Sequence, residues 1–149
     1  MHEHEKEIED LVGSIMAAEL LAVLATKAPE YPYTNLVAFA ATEDLKKLLF
    51  VTTRSTRKYL YLISDNRASL LIDNRSNSFI DFRDAVAINA TGRVREVDRE
   101  NYLHLGDIYL HKHPYLQEFF SSLSSALMCM DVEKYIIVRD FQNVVELDM

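Results

Sequence analysis

Two apolar periodicities alternate along this chain, and the changes between them mark its elements. Residues 4–19 carry Ile8, Leu11, Val12, Ile15 and Met16. Their i, i+3, i+4, i+7, i+8 spacing predicts an amphipathic helix. "LLAVLAT" (20–26) is a short apolar run and predicts a buried strand, and "KAPEYP" (27–32), with two prolines, predicts a turn. "YTNLVAFAA" (33–41) and "KLLFVTT" (47–53) predict two further strands, joined by "TEDLK", a polar connection of hairpin length.

The period then lengthens. Ser55 is the expected helix cap, with Tyr59, Leu62 and Ile63 as the apolar face behind it. "ASLLID" (68–73) returns to strand, "NRSNSFIDFRD" (74–84) reads as a polar loop, and "AVAINATGRVREVD" (85–98) is a long strand. In that strand Val94 and Val97 interrupt the charged Arg93, Arg95, Glu96 and Asp98. Residues 99–127 predict helical segments broken at "HKHPY". "KYIIVRDF" (134–141) and "VVEL" (144–147) predict a closing strand pair around "QN". Five or six strands so close in sequence predict a mainly β (α+β) fold. A mostly antiparallel barrel with peripheral helices answers the pattern, because closure removes exposed edges.

Composition narrows the function classes. The chain has 149 residues, is 49% hydrophobic, and carries a formal net charge of −7. That is one domain, 1–149, with room for a sizeable core. Three glycines and three prolines leave no flexible linker. The acidic balance argues against nucleic-acid or anionic-membrane partners, which require a broad basic field. The acidic N-terminus "MHEHEKEIED" is the reverse of a signal peptide, and the apolar runs are too short to span a bilayer. With Cys129 as its single cysteine, the chain has no internal disulfide and is expected in the reducing cytoplasm. The plain reading of Cys129 is a buried apolar residue.

Against that acidic background "TTRSTRK" (52–58) stands out. Arg54, Arg57 and Lys58 gather among the hydroxyls of Thr52, Thr53, Ser55 and Thr56, between a strand and a helix start. A helix N-terminus carries unpaired N–H groups and partial positive charge. Hydroxyl donors and cations added to it suit a phosphate monoester. The glycines of a P-loop or Rossmann turn are missing. Two readings stand on local sequence: an ordinary helix start with solvated charges, and an anion site. Basic residues in a first helical turn oppose the helix dipole by roughly 0.3–1 kcal/mol, which favours an anion partner.

"VTTRSTRKYLYLISDNRASLLID" (51–73) resembles the signature of the pyridoxamine 5′-phosphate oxidase-like split-barrel family, whose members bind flavin mononucleotide (FMN). The family's Ser/Thr-Arg-Lys step is here Thr56-Arg57-Lys58, and its Asn-Pro-Arg step is Asp65-Asn66-Arg67, without the proline. Upstream, "LLAVLATKAPEYPYTNLVAF" resembles the first two family strands, with Glu30-Tyr31-Pro32 in place of Gly-x-Pro. "NATGRVREVD", "HPYLQEFF" and "VEKYIIVRDFQNVVEL" resemble later family segments. The resemblance implies an antiparallel split β-barrel. It implies that Arg57 and Lys58 hold the FMN phosphate with Thr52, Thr53, Ser55 and Thr56 nearby. It implies that Asn35, Leu36, Val37 and Ala38 line the isoalloxazine ring. It also implies a homodimer with FMN at the interface, where the loop bearing Asn74 and Asn77 reaches the partner's site.

The expected function is a flavin-dependent oxidoreductase acting on a small molecule. Authentic pyridoxamine-phosphate oxidase activity is not expected, since the family enzyme's C-terminal substrate-binding segment has no match in "NVVELDM". The rivals are a non-catalytic flavin carrier or sensor, and a related barrel holding the deazaflavin F420 or haem. For haem, His104, His111 or His113 would be the axial ligand. The pairs His2/His4 and His111/His113 lack the closed ligand set of a structural zinc, so no metal is expected. The tyrosines read as half-buried packing residues. No Ser-His-Asp arrangement or hydrolase carboxylate pair is recognisable.

Overall fold

The computed structural model describes residues 2–140 and 142–149. In chain order the elements are α1 (His2–Ala18), β1 (Leu21–Lys27), β2 (Pro32–Ala41), β3 (Lys47–Thr53) and α2 (Arg57–Ser64). These are followed by β4 (Arg67–Asp73), α3 (Asp81–Asp84), β5 (Val86–Glu96), α4 (Arg99–Lys112), a 3₁₀ turn (Pro114–Leu116), α5 (Gln117–Ser121), β6 (Ser125–Arg139) and β7 (Asn143–Asp148). The sheet runs β3-β2-β1-β4-β5-β6-β7, and a further β3–β6 pairing closes six strands into a barrel. Every pairing is antiparallel. The fold is the expected antiparallel split barrel with peripheral helices.

Strand β6 makes the split. One of its edges follows β5 from Glu96↔Met128 to Val86↔Arg139. The other pairs first with β3, from Thr53↔Ser125 to Lys47↔Asp131, and then with β7, from Lys134↔Asp148 to Arg139↔Asn143. The two strands of the other opening, β2 and β3, pair only through residues 39–41 and 48–50. Residues 35–38 of β2 therefore have β1 on one side and no β3 partner on the other.

Alternation sends Leu24, Phe39, Phe50, Leu70, Ile72 and Ile88 into the barrel, all fully buried. The apolar stripe of α1, Ile8, Val12, Ile15 and Met16, joins the same cluster. A second cluster lies outside, where Leu49, Val51, Leu127 and Cys129 meet Leu105 and Tyr109 of α4 and Phe120 of α5. Helices thus cover the outer face of β3 and β6. The outer face of β1, β2 and β4 leaves Leu21, Leu36 and Leu71 exposed.

Four sequence expectations are corrected. Strand β6 begins at Ser125 rather than at 134, so the expected helical region stops earlier. Residues 126–130 are buried on both strand faces, and a continuous apolar run of Ala, Leu and Met hides the period of two. The cap of α2 is Thr56 rather than Ser55, with extended backbone and a side chain that accepts from the Tyr59 N–H. Ile63 is 65% exposed, so the buried face of α2 rests on Leu62 with Tyr59 beside it. The loop expected over 74–84 contains the single turn α3.

Candidate functional site

Strand β3 ends at Thr53, and a tight turn delivers the chain to α2. Thr52 is 1% exposed, with Oγ1 2.7 Å from Thr56 Oγ1. Thr56 Oγ1 also donates to the Thr53 carbonyl at 2.9 Å. These two hydroxyls are engaged in shaping the turn. Ser55 is exposed, its Oγ 3.4 Å from Thr53 Oγ1.

The three cations separate. Arg54 turns to Glu96, with Nη2–Oε2 at 2.7 Å and Nε–Oε1 at 3.3 Å, and donates to the Leu123 carbonyl. Tyr59 donates its hydroxyl to the same carboxylate at 3.1 Å. The Arg54 hydrogen bond, aided by Tyr59, holds Glu96 below its usual range against the opposing effect of burial. Arg54 is neutralised within the chain. Arg57 and Lys58 have no hydrogen-bond or ion-pair partner among the described residues. Burial pushes the Lys58 ammonium down. Their backbone N–H groups occupy the first two helical positions, where no intrahelical acceptor exists.

On β2, Asn35 shares the barrel-facing side with Val37 and Phe39, two residues apart in turn. Its Oδ1 is buried and accepts no hydrogen bond, while its amide donates to the Leu36 carbonyl at 3.4 Å. Leu36 is exposed on the outer face, Val37 is buried, and Ala38 offers its carbonyl to the buried Tyr109 hydroxyl at 3.3 Å.

Asn74 and Asn77 lie elsewhere, on the loop between β4 and β5. Asn74 Oδ1 accepts from the Val86 N–H at 2.7 Å, closing the base of the loop. Asn77 takes a left-handed φ of 61°, which asparagine tolerates. The Asp81 carboxylate organises the turn by accepting from the backbone N–H groups of Ser76, Asn77 and Ser78 and from the Ser76 hydroxyl. These bonds, the Ser76 N–H foremost, hold its pKa below the ordinary range. Asn77 shares a cleft of about 430 Å³ with Leu21, Leu36 and Leu71. Arg57 lines a different one, of about 450 Å³, with Tyr31, Tyr33 and Tyr61. The sequence holds all three tyrosines, but only the fold brings the β1–β2 turn to α2. The signals available in sequence were the i, i+4 spacing of Arg57 and Tyr61 and the i, i+2 spacing of Tyr31 and Tyr33.

His113 is buried, with Nε2 2.6 Å from the Phe39 carbonyl, while His104 and His111 are exposed on α4. Among the described residues no three His, Cys, Asp or Glu side chains gather around a metal position. Cys129 is fully buried, and burial pushes its thiol up to about 11. No described helix is long and apolar enough to cross a membrane.

A closed antiparallel six-stranded barrel, split at β6 and flanked by helices, places the chain in the class of small split β-barrel proteins. The sequence profile of the pyridoxamine 5′-phosphate oxidase family matches residues 6–138, and the chain belongs to that family. None of the curated proteins matches. Among solved structures, a haem-binding protein from Mycobacterium smegmatis superposes with a TM-score of 0.83 at 13% identity, covering 94% of this chain and 57% of that one. A FAD-binding protein from Mesorhizobium loti gives 0.66 at 13% identity over 83% of this chain and 88% of its own. A putative pyridoxamine 5′-phosphate oxidase from Listeria innocua gives 0.67 at 16% identity over 88% and 98%. At these identities the likeness is one of fold. This chain spans little more than half of the haem-binding protein's length.

Proposed function

We propose that this chain binds FMN and acts as a flavin-dependent oxidoreductase on a small molecule. One observation carries the reading: at the start of α2, Arg57 and Lys58 have no partner among the described residues and stand beside N–H groups without an intrahelical acceptor, in a chain of net charge −7. A partly buried ammonium without a counter-charge is unfavourable, and an approaching anion reduces that cost. A phosphate monoester meets both cations and the helix N-terminus. Family membership supports a flavin phosphate there, and the Mesorhizobium loti relative in fold is described as FAD-binding.

Strand β2 supports the ring's place. Residues 35–38 have no β3 partner, so a flat heterocycle can lie along that edge. The buried, unpartnered Asn35 Oδ1 offers it an acceptor. A bound flavin supplies the redox chemistry. The residues of this chain bind, orient and shield it: Arg57 and Lys58 neutralise the phosphate, Thr52 and Thr56 hold the turn, and Tyr109 fixes the Ala38 carbonyl. Haem is the second reading, favoured by the Mycobacterium smegmatis fold. It requires an axial ligand, and the one buried histidine, His113, already faces the Phe39 carbonyl. A homodimer completes the proposal. The exposed wall of Leu21, Leu36 and Leu71, with Phe79 and Ile80 projecting from the adjacent loop, is apolar surface that a two-fold partner would bury.

The test compares FMN with riboflavin, which has the ring and lacks the phosphate. Arg57→Ala and Lys58→Ala should each raise the FMN dissociation constant about 10- to 100-fold, the equivalent of one charge-assisted hydrogen bond. Riboflavin binding should hardly change. Lys46→Ala, exposed in the β2–β3 hairpin, is the charge-matched control. Equal losses for both flavins in a folded Arg57 variant would remove the phosphate role.

A further inference from the structure

The cleft beside the start of α2 has an uneven chemistry. Arg57 and Tyr61 stand one helical turn apart on one face of α2. Opposite them the β1–β2 turn contributes Pro29, Glu30, Tyr31, Pro32 and Tyr33. The rings of Tyr33 and Tyr61 meet edge to face, centroids 5.5 Å apart. Tyr31 is 76% exposed, with its ring open to a partner. The two prolines stiffen this wall and bring no backbone N–H donors. Glu30 repels a free anion entering the cleft. A second phosphate by itself is therefore a poor occupant. A flat, uncharged ring with N–H donors, tethered to a phosphate at Arg57, meets the aromatic faces and the carboxylate together.

We propose that this cleft takes the adenylate half of a flavin dinucleotide, so that the chain holds FAD more tightly than FMN. The inference rests on the flavin-phosphate reading of the α2 start. The flavin-side phosphate lies at the N-terminus of α2 with Lys58, and Arg57 neutralises the pyrophosphate from the cleft side. The adenine stacks against Tyr31 and Tyr61, and Glu30 accepts from its exocyclic amine. Tyr33 braces Tyr61 through their edge contact.

The experiment titrates the full chain with riboflavin, FMN and FAD and reads flavin fluorescence. FAD should bind about 10-fold or more tightly than FMN, the scale of one base stacked on an aromatic side chain. Tyr31→Ala and Tyr61→Ala should each weaken FAD about 5- to 100-fold and leave FMN within about 2-fold. Tyr61→Phe, which keeps the ring, should retain FAD binding. Equal affinities for FMN and FAD would overturn the adenylate site and leave the phosphate site standing. So would equal losses of both flavins in Tyr31→Ala, whose exposed side chain is not needed for folding. Failure of all three flavins to bind would remove the flavin reading and the adenylate inference with it.

Discussion

Leu45 adopts a φ of 64°, in the left-handed region where a side chain is costly. Two contacts hold it there: its side chain is buried, and its carbonyl accepts from the buried Tyr135 hydroxyl at 2.6 Å. Burial and a hydrogen bond across the barrel offset the strain of the hairpin. Gly92 is constrained in another way. It sits at the register shift between β5 and β6. A Cβ there would collide with the Asp131 carbonyl oxygen and approach Met130 Cγ to 3.1 Å. Gly92→Ala should therefore force the two longest strands apart and cost roughly 1–3 kcal/mol, as overpacking does. The denaturant midpoint measures it. A midpoint equal to that of the parent would show that the strands yield freely. Neither constraint is visible locally: "TEDLK" reads as a turn without saying that its leucine is buried.

Among the elements, α4 was legible in the pattern only as a helical segment before the break at "HKHPY". Its C-terminal turn fastens it to two others. Tyr109 and His113 reach the carbonyls of Ala38 and Phe39 on β2. Lys112 Nζ donates to the Met16 carbonyl at 2.8 Å, in the last turn of α1, and lies 3.9 Å from the centroid of the Phe39 ring. Burial pushes the Lys112 ammonium down from 10.5 to about 8, opposed by Glu19. Below pH about 8 the amine is charged in both the folded and unfolded chain, and the fold carries the full cost of burying it. Between about 8 and 10.5 the unfolded chain keeps a proton that the folded chain has released, so stability rises with pH across that window. Lys112→Met should remove this rise. Chemical denaturation of parent and variant at pH 7.5 and 10 checks it. An unchanged difference in stability between the two pH values would show that Lys112 titrates near its ordinary value.

At the scale of the whole molecule the two outer walls of the barrel differ. Helices α4 and α5 cover β3, β6 and the Ala40 end of β2, while Leu21, Leu36 and Leu71 on the outer face of β1, β2 and β4 are exposed. The Asp81-organised loop beside it projects Phe79 and Ile80 and borders a groove of about 620 Å³ that Leu71 also lines. If two copies pair through this wall, light scattering should give twice the chain mass of 17.2 kDa. Leu71→Asp, which places a charge on the bare wall without entering the core, should shift the population to monomer. A monomeric parent that still binds flavin would overturn the dimer.

Periodicity by itself determined α1, strands β1 to β5 and the antiparallel barrel, because each segment must hide one face and a period of two or 3.6 records which. The order strand, hydroxyl-rich basic turn, helix was equally legible, and with it Arg57 and Lys58 as a pair to test. Tertiary structure decided the rest. The start of β6 was hidden in the sequence because the barrel and α4 bury residues 126–130 on both strand faces, which erases the alternation that sequence reading needs. Arg54 left the cationic group because Glu96, distant in sequence, came within 2.7 Å. Asn35 lost a partner for its Oδ1, and Tyr31, Tyr33 and Tyr61 gathered beside Arg57, only when β1, β2 and α2 packed together. Local pattern records what each segment must bury. Which charges remain unpaired is a property of contacts between segments, and those exist only in the folded chain.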